Sequence, residues 1–225
     1  MPESGDYLLR NLELAVSKIV LAVAPMFPDL GIKTVGHYER VLKEAVHDLY
    51  NGVIDDRTFI DSLLNLIDGQ LTRAWNEGMR NNDLDPQRDM TPEWEEALEN
   101  LKLNELDYVD DFADEIIRAA KAGDPIDPFL DRSTLWANRY NEVVNTSMIT
   151  TRPEDRFAWR LGATEEHCAT CATLNGVVAT GQEWQESGYH PQEPPNGMLE
   201  CGGWRCDCRF EYTEEPATEG GIPNA

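Results

Sequence analysis

Basic residues, cysteines and long apolar runs are all scarce in this chain, and each scarcity excludes something. Its 225 residues carry 19 Lys and Arg against 42 Asp and Glu, a formal net charge of −23 with a sequence pI near 4.4. The summed field repels phosphate backbones and anionic lipid headgroups, so neither nucleic acid nor a membrane is expected as a direct partner. The charge-free run from Ile19 to Pro28 is too short to cross a bilayer. Lys18 interrupts the N-terminal apolar stretch and no basic cluster precedes it, so no secretory signal is read there. A soluble, unsecreted protein is expected, made where thiols stay reduced and structural disulfides are rare.

What is present is helical rhythm. The length suits a sizeable domain with an appendage. Residues 7–24 place Leu8, Leu12, Ala15, Ile19 and Val23 at helical spacing, and residues 35–50 do the same with Val35, Tyr38, Leu42, Ala45 and Leu49. Asp56 and Thr58 are candidate caps for a helix carrying Phe59, Leu63, Ile67, Leu71, Trp75 and Met79. Thr91 as N-cap and Pro92 at the first helical position open one helix that is expected to run to Gly123, with Tyr108, Phe112 and Ile116 as its apolar stripe. Ten acids against the single Lys102 between Glu93 and Glu115 read as its solvated face. Ser133 or Thr134 would cap a further helix in which Trp136, Tyr140 and Val143 or Val144 face inward. Residues 1–150 are therefore expected to form an all-helical bundle, which makes the chain mainly α.

After residue 150 the texture changes. "RFAWRLG", "GVVATG" and "CRFEYT" are short, β-branched or aromatic and bounded by turn formers, as small strands are. Residues 151–213 read as a small cysteine-rich α+β module, with Trp159, Trp184 and Trp204 filling its core, and residues 214–225 as a flexible tail.

All five cysteines fall in that module. Cys168 and Cys171 have the spacing of a zinc knuckle, in which a turn lets two thiolates converge on one ion. Cys201, Cys206 and Cys208 could supply the rest, with Cys206 and Cys208 as the first choice and Cys201 as a substitute or fifth thiol. On a straight strand, Cα atoms two residues apart lie about 6.5 Å apart, whereas two sulfurs on one zinc lie within about 4 Å. Either the chain bends at Cys206–Cys208 so that both bind one ion, or one of them yields its place to Cys201. A structural zinc on four thiolates, contributing on the order of 10 kcal/mol, suits a segment with so thin a core. His167 and His190 are weaker substitutes for one thiolate.

Enzyme signatures fail one by one. His37 and Glu39 spell the H-x-E half of a zinc deaminase, but Cys168 lies far downstream on a C-x-x-C with no preceding proline. No alternating β/α pattern supports a thioredoxin-like pair, and no H-E-x-x-H, G-x-S-x-G or phosphate-cradling loop is present. No catalytic residue is expected.

Across residues 130–213, Trp159, Cys168, Cys171, Leu174, Gly176, Pro194, Pro195, Cys206 and Cys208 occur in an ordered series. In this the chain resembles the C-terminal module of phage head morphogenesis proteins, the Mu F-like minor capsid family. That family places a histidine three residues before its C-x-C; Gly203 stands there in this chain, with Cys201 two residues earlier. The resemblance implies a minor component of a tailed-phage or prophage head, made in the host cytoplasm and carried in the virion. It implies portal or major capsid protein as partner, and a role in head assembly or DNA delivery. An enzymatic or toxin effector carrying the same module is the alternative.

Overall fold

A computed structural model describes residues 35–106, 108–163, 166–204 and 206–223. The helix expected over 7–24 lies outside them. The described elements are α1 (Val35–Tyr50), α2 (Asp56–Asn81), α3 (Pro92–Leu106), α4 (Val109–Ala122), α5 (Asp127–Thr151), β1 (Arg156–Arg160), α6 (Ala169–Leu174), β2 (Val178–Thr180), α7 (Gly181–Ser187) and β3 (Arg209–Tyr212). The protein is mainly helical, with a small antiparallel sheet near its C-terminus.

α2 and α5 form the axis of the bundle. Phe59, Leu63, Ile67, Leu71, Trp75 and Met79 of α2 are all buried, as their spacing predicts. The two helices touch closely at Gly78, where a Cβ would lie 2.5 Å from the Val144 carbonyl oxygen, and the Ser147 hydroxyl donates to Trp75 O at 2.7 Å. Tyr38, Leu42, Val46 and Leu49 of α1 close one side of this core and Val109, Phe112 and Ile116 of α4 another. Phe112 meets the Trp136 ring edge-on at 4.8 Å between centroids.

Helix boundaries depart from the sequence reading in three places. The cap of α2 is Asp55, whose carboxylate accepts the Thr58 N–H at 2.7 Å, rather than Asp56 or Thr58. The helix expected over 91–123 is two helices, and Tyr108, assigned to its apolar stripe, is 61% exposed. Asp110 and Asp111 occupy the first turn of α4, where the helix dipole favours acids, and Glu105 is held by Arg139 at 2.8 Å. α5 starts at Asp127 with proline at its N-terminal turn, so Ser133 and Thr134 are not caps; their hydroxyls donate to Leu130 O inside the helix. Thr91 and Gly123 behave as read: Thr91 Oγ1 accepts the Trp94 N–H at 3.3 Å, and Gly123 ends α4 at φ 76°.

The three strands pair in the order β2-β1-β3, all antiparallel, with Phe157 opposite Ala179 and Trp159 opposite Phe210. Trp159, Trp184, Phe157, Leu174 and Phe210 form a second core with Met148 and Ile149 from the last turns of α5. Val144 of α5 packs against both cores, and α5 ends at Thr151, beside the expected boundary at residue 150. Trp204, expected in the module core, is 40% exposed instead. The short α7 begins with a reciprocal capping box between Thr180 and Glu183. Within the tail, Thr218 exchanges hydrogen bonds with Val178, its N–H donating at 2.9 Å and its Oγ1 accepting at 2.8 Å, and Ile222 packs on the module core.

Candidate metal centre

Three segments bring the five cysteines together. The first is the turn into α6: Cys168 sits at the N-cap, and its sulfur accepts the Cys171 N–H at 3.4 Å. Glu200 reaches back to this turn, its carboxylate accepting the Ala169 N–H at 2.7 Å. The second is the Cys201–Trp204 turn, with Gly202 at φ 63° and Gly203 at φ 80°. A Cβ on Gly203 would lie 2.4 Å from Glu193 O, so this backbone passes too close to that carbonyl for a side chain. The third is the irregular Cys206–Cys208 segment that leads into β3.

That segment is not a straight strand, which answers the geometric question left by the C-x-C spacing. The sulfurs of Cys171, Cys206 and Cys208 all lie within 4.8 Å of one another, and Cys171 Sγ is 3.8 Å from Cys206 Sγ. Two thiolates on one ion at about 2.3 Å have sulfurs about 3.8 Å apart, so the spacing fits shared coordination. Cys168, Cys171 and Cys201 form a second group on the same criterion. Cys171 belongs to each group, and among the described residues no four of the sulfurs form one group. The five thiols are free, with Cys171 and Cys208 buried. The arrangement can hold a metal ion. Neither His167 nor His190 joins either group; His190 Nδ1 pairs with Glu193 at 2.7 Å.

Polar groups surround the sulfurs. The Gly162 N–H favours the thiolate of Cys208, the Cys201 N–H that of Cys168, and the Gly203 N–H that of Cys201; the Trp159 indole N–H is buried without a hydrogen-bond partner among the described residues. Contact with the thiols of Cys171 and then Cys206 brings the Cys208 pKa down to about 3. Burial works against ionisation of Cys168, but the N–H and thiol of Cys171 and those of Cys201 outweigh it, and the pKa falls. Burial pushes Cys201 up to about 11, while contact with Cys206, then Cys208, raises Cys171. Protons are thus held by the cluster as a whole.

Sequence reasoning passed over two supports of this centre. Gly162 lets the end of β1 lie against the C-x-C segment: a Cβ there would come 2.2 Å from Asp207. Gln192 bridges α5 to the same segment, accepting from Asn141 at 3.0 Å and donating to Cys208 O at 2.7 Å. A glycine immediately after an aromatic strand was the available signal for the first; nothing local marks the second.

A concavity of about 690 Å³ lies between the helices and the module, lined among others by Tyr108, Arg132, Trp136, Arg139, Pro194 and Trp204. Tyr108 and Trp204, two of the large apolar residues left exposed, line it, and the exposed Met198 lies beside Gly188 in its wall.

Comparison with known protein families, curated proteins and solved structures finds no match to this chain.

Proposed function

We propose that residues 151–213 form a zinc-stabilised structural module of a minor head protein of a tailed phage or prophage. The protein acts at the portal vertex in head assembly or DNA delivery, without turnover of a substrate. The observation that carries this reading is the convergence of the five cysteines around Cys171, four of which, Cys168, Cys171, Cys206 and Cys208, stand where the chain resembles the Mu F-like module. Thiolate sulfur is a donor set that selects zinc among the abundant divalent ions, and Cys168, Cys171, Cys201, Cys206 and Cys208 supply it. The ion would tie the α6 turn, the Cys201 turn and the entry to β3 into one unit.

The same reading assigns the 690 Å³ concavity to a segment of the portal or capsid protein. Apolar side chains from that segment would seat among Tyr108, Trp136 and Trp204, and basic flanks would suit a chain of net charge −23.

Two measurements test the proposal. Metal analysis of the full chain purified under reducing conditions is expected to find zinc, and its absence would remove the structural role. Imaging of assembled particles is expected to place the protein at the portal vertex. Recovery only outside particles, with an activity in a neighbouring cell, would replace the head role by the effector reading. Trp204→Ala and Tyr108→Ala are expected to lower the amount carried into particles while leaving the zinc content intact.

A further inference from the structure

One tetrahedral ion uses four sulfurs, and this cluster has five. Among the described residues, the thiols form two groups of three, Cys168–Cys171–Cys201 and Cys171–Cys206–Cys208, with no four in one group. Each group has the spacing that a single ion bridges, and Cys171 is the only sulfur in both. We propose that the cluster holds a second metal ion, with the Cys171 sulfur bridging the two. This rests on the metal-centre reading above and adds a site to it.

The surroundings of Cys168 and Cys171 differ in the way such a bridge requires. The outer sulfur of Cys168 accepts the Cys171 N–H at 3.4 Å. Terminal thiolates keep lone pairs and charge that such donors stabilise. Cys171 meets the thiols of Cys206, Cys208 and Cys168. A bridging sulfur gives its lone pairs to two ions and needs no such donors.

Cys208 sharpens the point. At 1% exposure it is too buried to be a spare surface thiol, and its sulfur lies within 4.8 Å of those of Cys171 and Cys206. A single ion on the other four sulfurs would leave this buried thiol unligated at the edge of its own group. Charge favours the same answer. Two divalent ions neutralise four of five thiolate charges and one neutralises only two, in a chain already strongly acidic. Each ion then has three protein sulfurs and one position for a water or small anion. The ions are soft, thiolate-seeking d10 cations, zinc being the cellular candidate.

The test is a cobalt titration of the reduced, metal-stripped full chain, with zinc content measured in parallel. Thiolate-to-cobalt charge-transfer absorption is expected to rise to two equivalents. The paramagnetic signal should grow over the first equivalent and shrink over the second, because a shared sulfur couples the two spins. Zinc content is expected at two per chain. Cys201→Ser and Cys208→Ser should each reduce it to one and leave the helical signal unchanged, while Cys171→Ser should abolish the coupling. Saturation at one equivalent with no loss of signal overturns the second site and leaves the metal centre standing. Failure to bind any metal overturns both. Two equivalents without coupling overturns the bridge.

Discussion

The helical bundle buries Phe59, Leu63, Leu71, Trp75, Phe112 and Ile116 with almost no exposure, on helices of up to 26 residues. The C-terminal module has three strands of three to five residues and helices of six and seven, and places Cys171 and Cys208 in its core beside Trp159 and Phe210. Burial of large apolar side chains at roughly 25 cal/mol per Å² stabilises the first region without help. The second has short elements and buried sulfur, and on the metal-centre reading proposed above its stability would rest on what the sulfurs bind. α5 contributes to both cores, which keeps the two regions joined while their sources of stability differ.

Removing metal is the largest way to break that contrast. Chelation under reducing conditions is expected to destabilise the module by an amount on the order of 10 kcal/mol. Near-ultraviolet dichroism from Trp159 and Trp184 should collapse, because both indoles are packed in the module core. Far-ultraviolet helical signal should largely survive, since α1 to α5 carry most of it. Loss of both signals together would mean that the bundle also depends on the metal.

Phe112→Ala inverts the comparison. Its ring touches Phe59, Phe129 and Trp136, and its removal leaves a cavity that costs about 3–5 kcal/mol. The bundle transition should move to lower denaturant concentration while metal content stays unchanged. Coupled metal loss would show that the module cannot hold its fold without the helices.

The two regions were also unequally legible in sequence. The stripe of α2 and the three strands could be read because period 3.6 and short aromatic or β-branched runs record burial directly. The break between α3 and α4 could not, because Leu98, Leu101, Val109, Phe112 and Ile116 keep the helical rhythm through it. The early start of α5 was hidden for a similar reason: Ser133 and Thr134 satisfy their hydroxyls inside a helix as well as at a cap. In the module, C-x-x-C announced a ligand pair. The division of five thiols around Cys171 depends on the bend at Cys206–Cys208 and the close approach of Gly162, which are tertiary facts. Trp204 misled because an aromatic near cysteines reads as core, whereas the turn from Cys201 sends it to the surface.

A smaller effect concerns α5, which joins the two regions. Glu142 is 1% exposed in its side chain, and Arg139 pairs with both it and Glu105. Burial, opposed by Arg139 and reinforced by Glu193 and Glu105, raises its pKa from 4.5 to about 8. Between those two values the folded chain binds a proton that the unfolded chain has released, so stability should fall as pH rises from about 4.5 to about 8. Glu142→Gln should remove this slope, giving a larger gain over wild type at pH 8 than at pH 5. Equal shifts at both pH values would mean that the carboxylate is fully compensated by Arg139.

The smallest change tests whether the module has any stability of its own in local structure. Thr180 accepts the Glu183 N–H at 3.2 Å, and the Glu183 carboxylate accepts the Thr180 N–H at 2.8 Å, so the seven-residue α7 is closed at its start from both sides. Thr180→Ala removes one half of that exchange and should cost about 1 kcal/mol. Trp184 lies within α7 and donates its indole N–H to Phe157 O at 2.9 Å, so fraying of the helix would loosen the module core directly. The loss should appear in the tryptophan-reported transition and leave the bundle transition in place. If metal ligation alone holds the module together, the variant will melt with the wild type, and the capping box is then a local ornament of a fold fixed by its sulfurs.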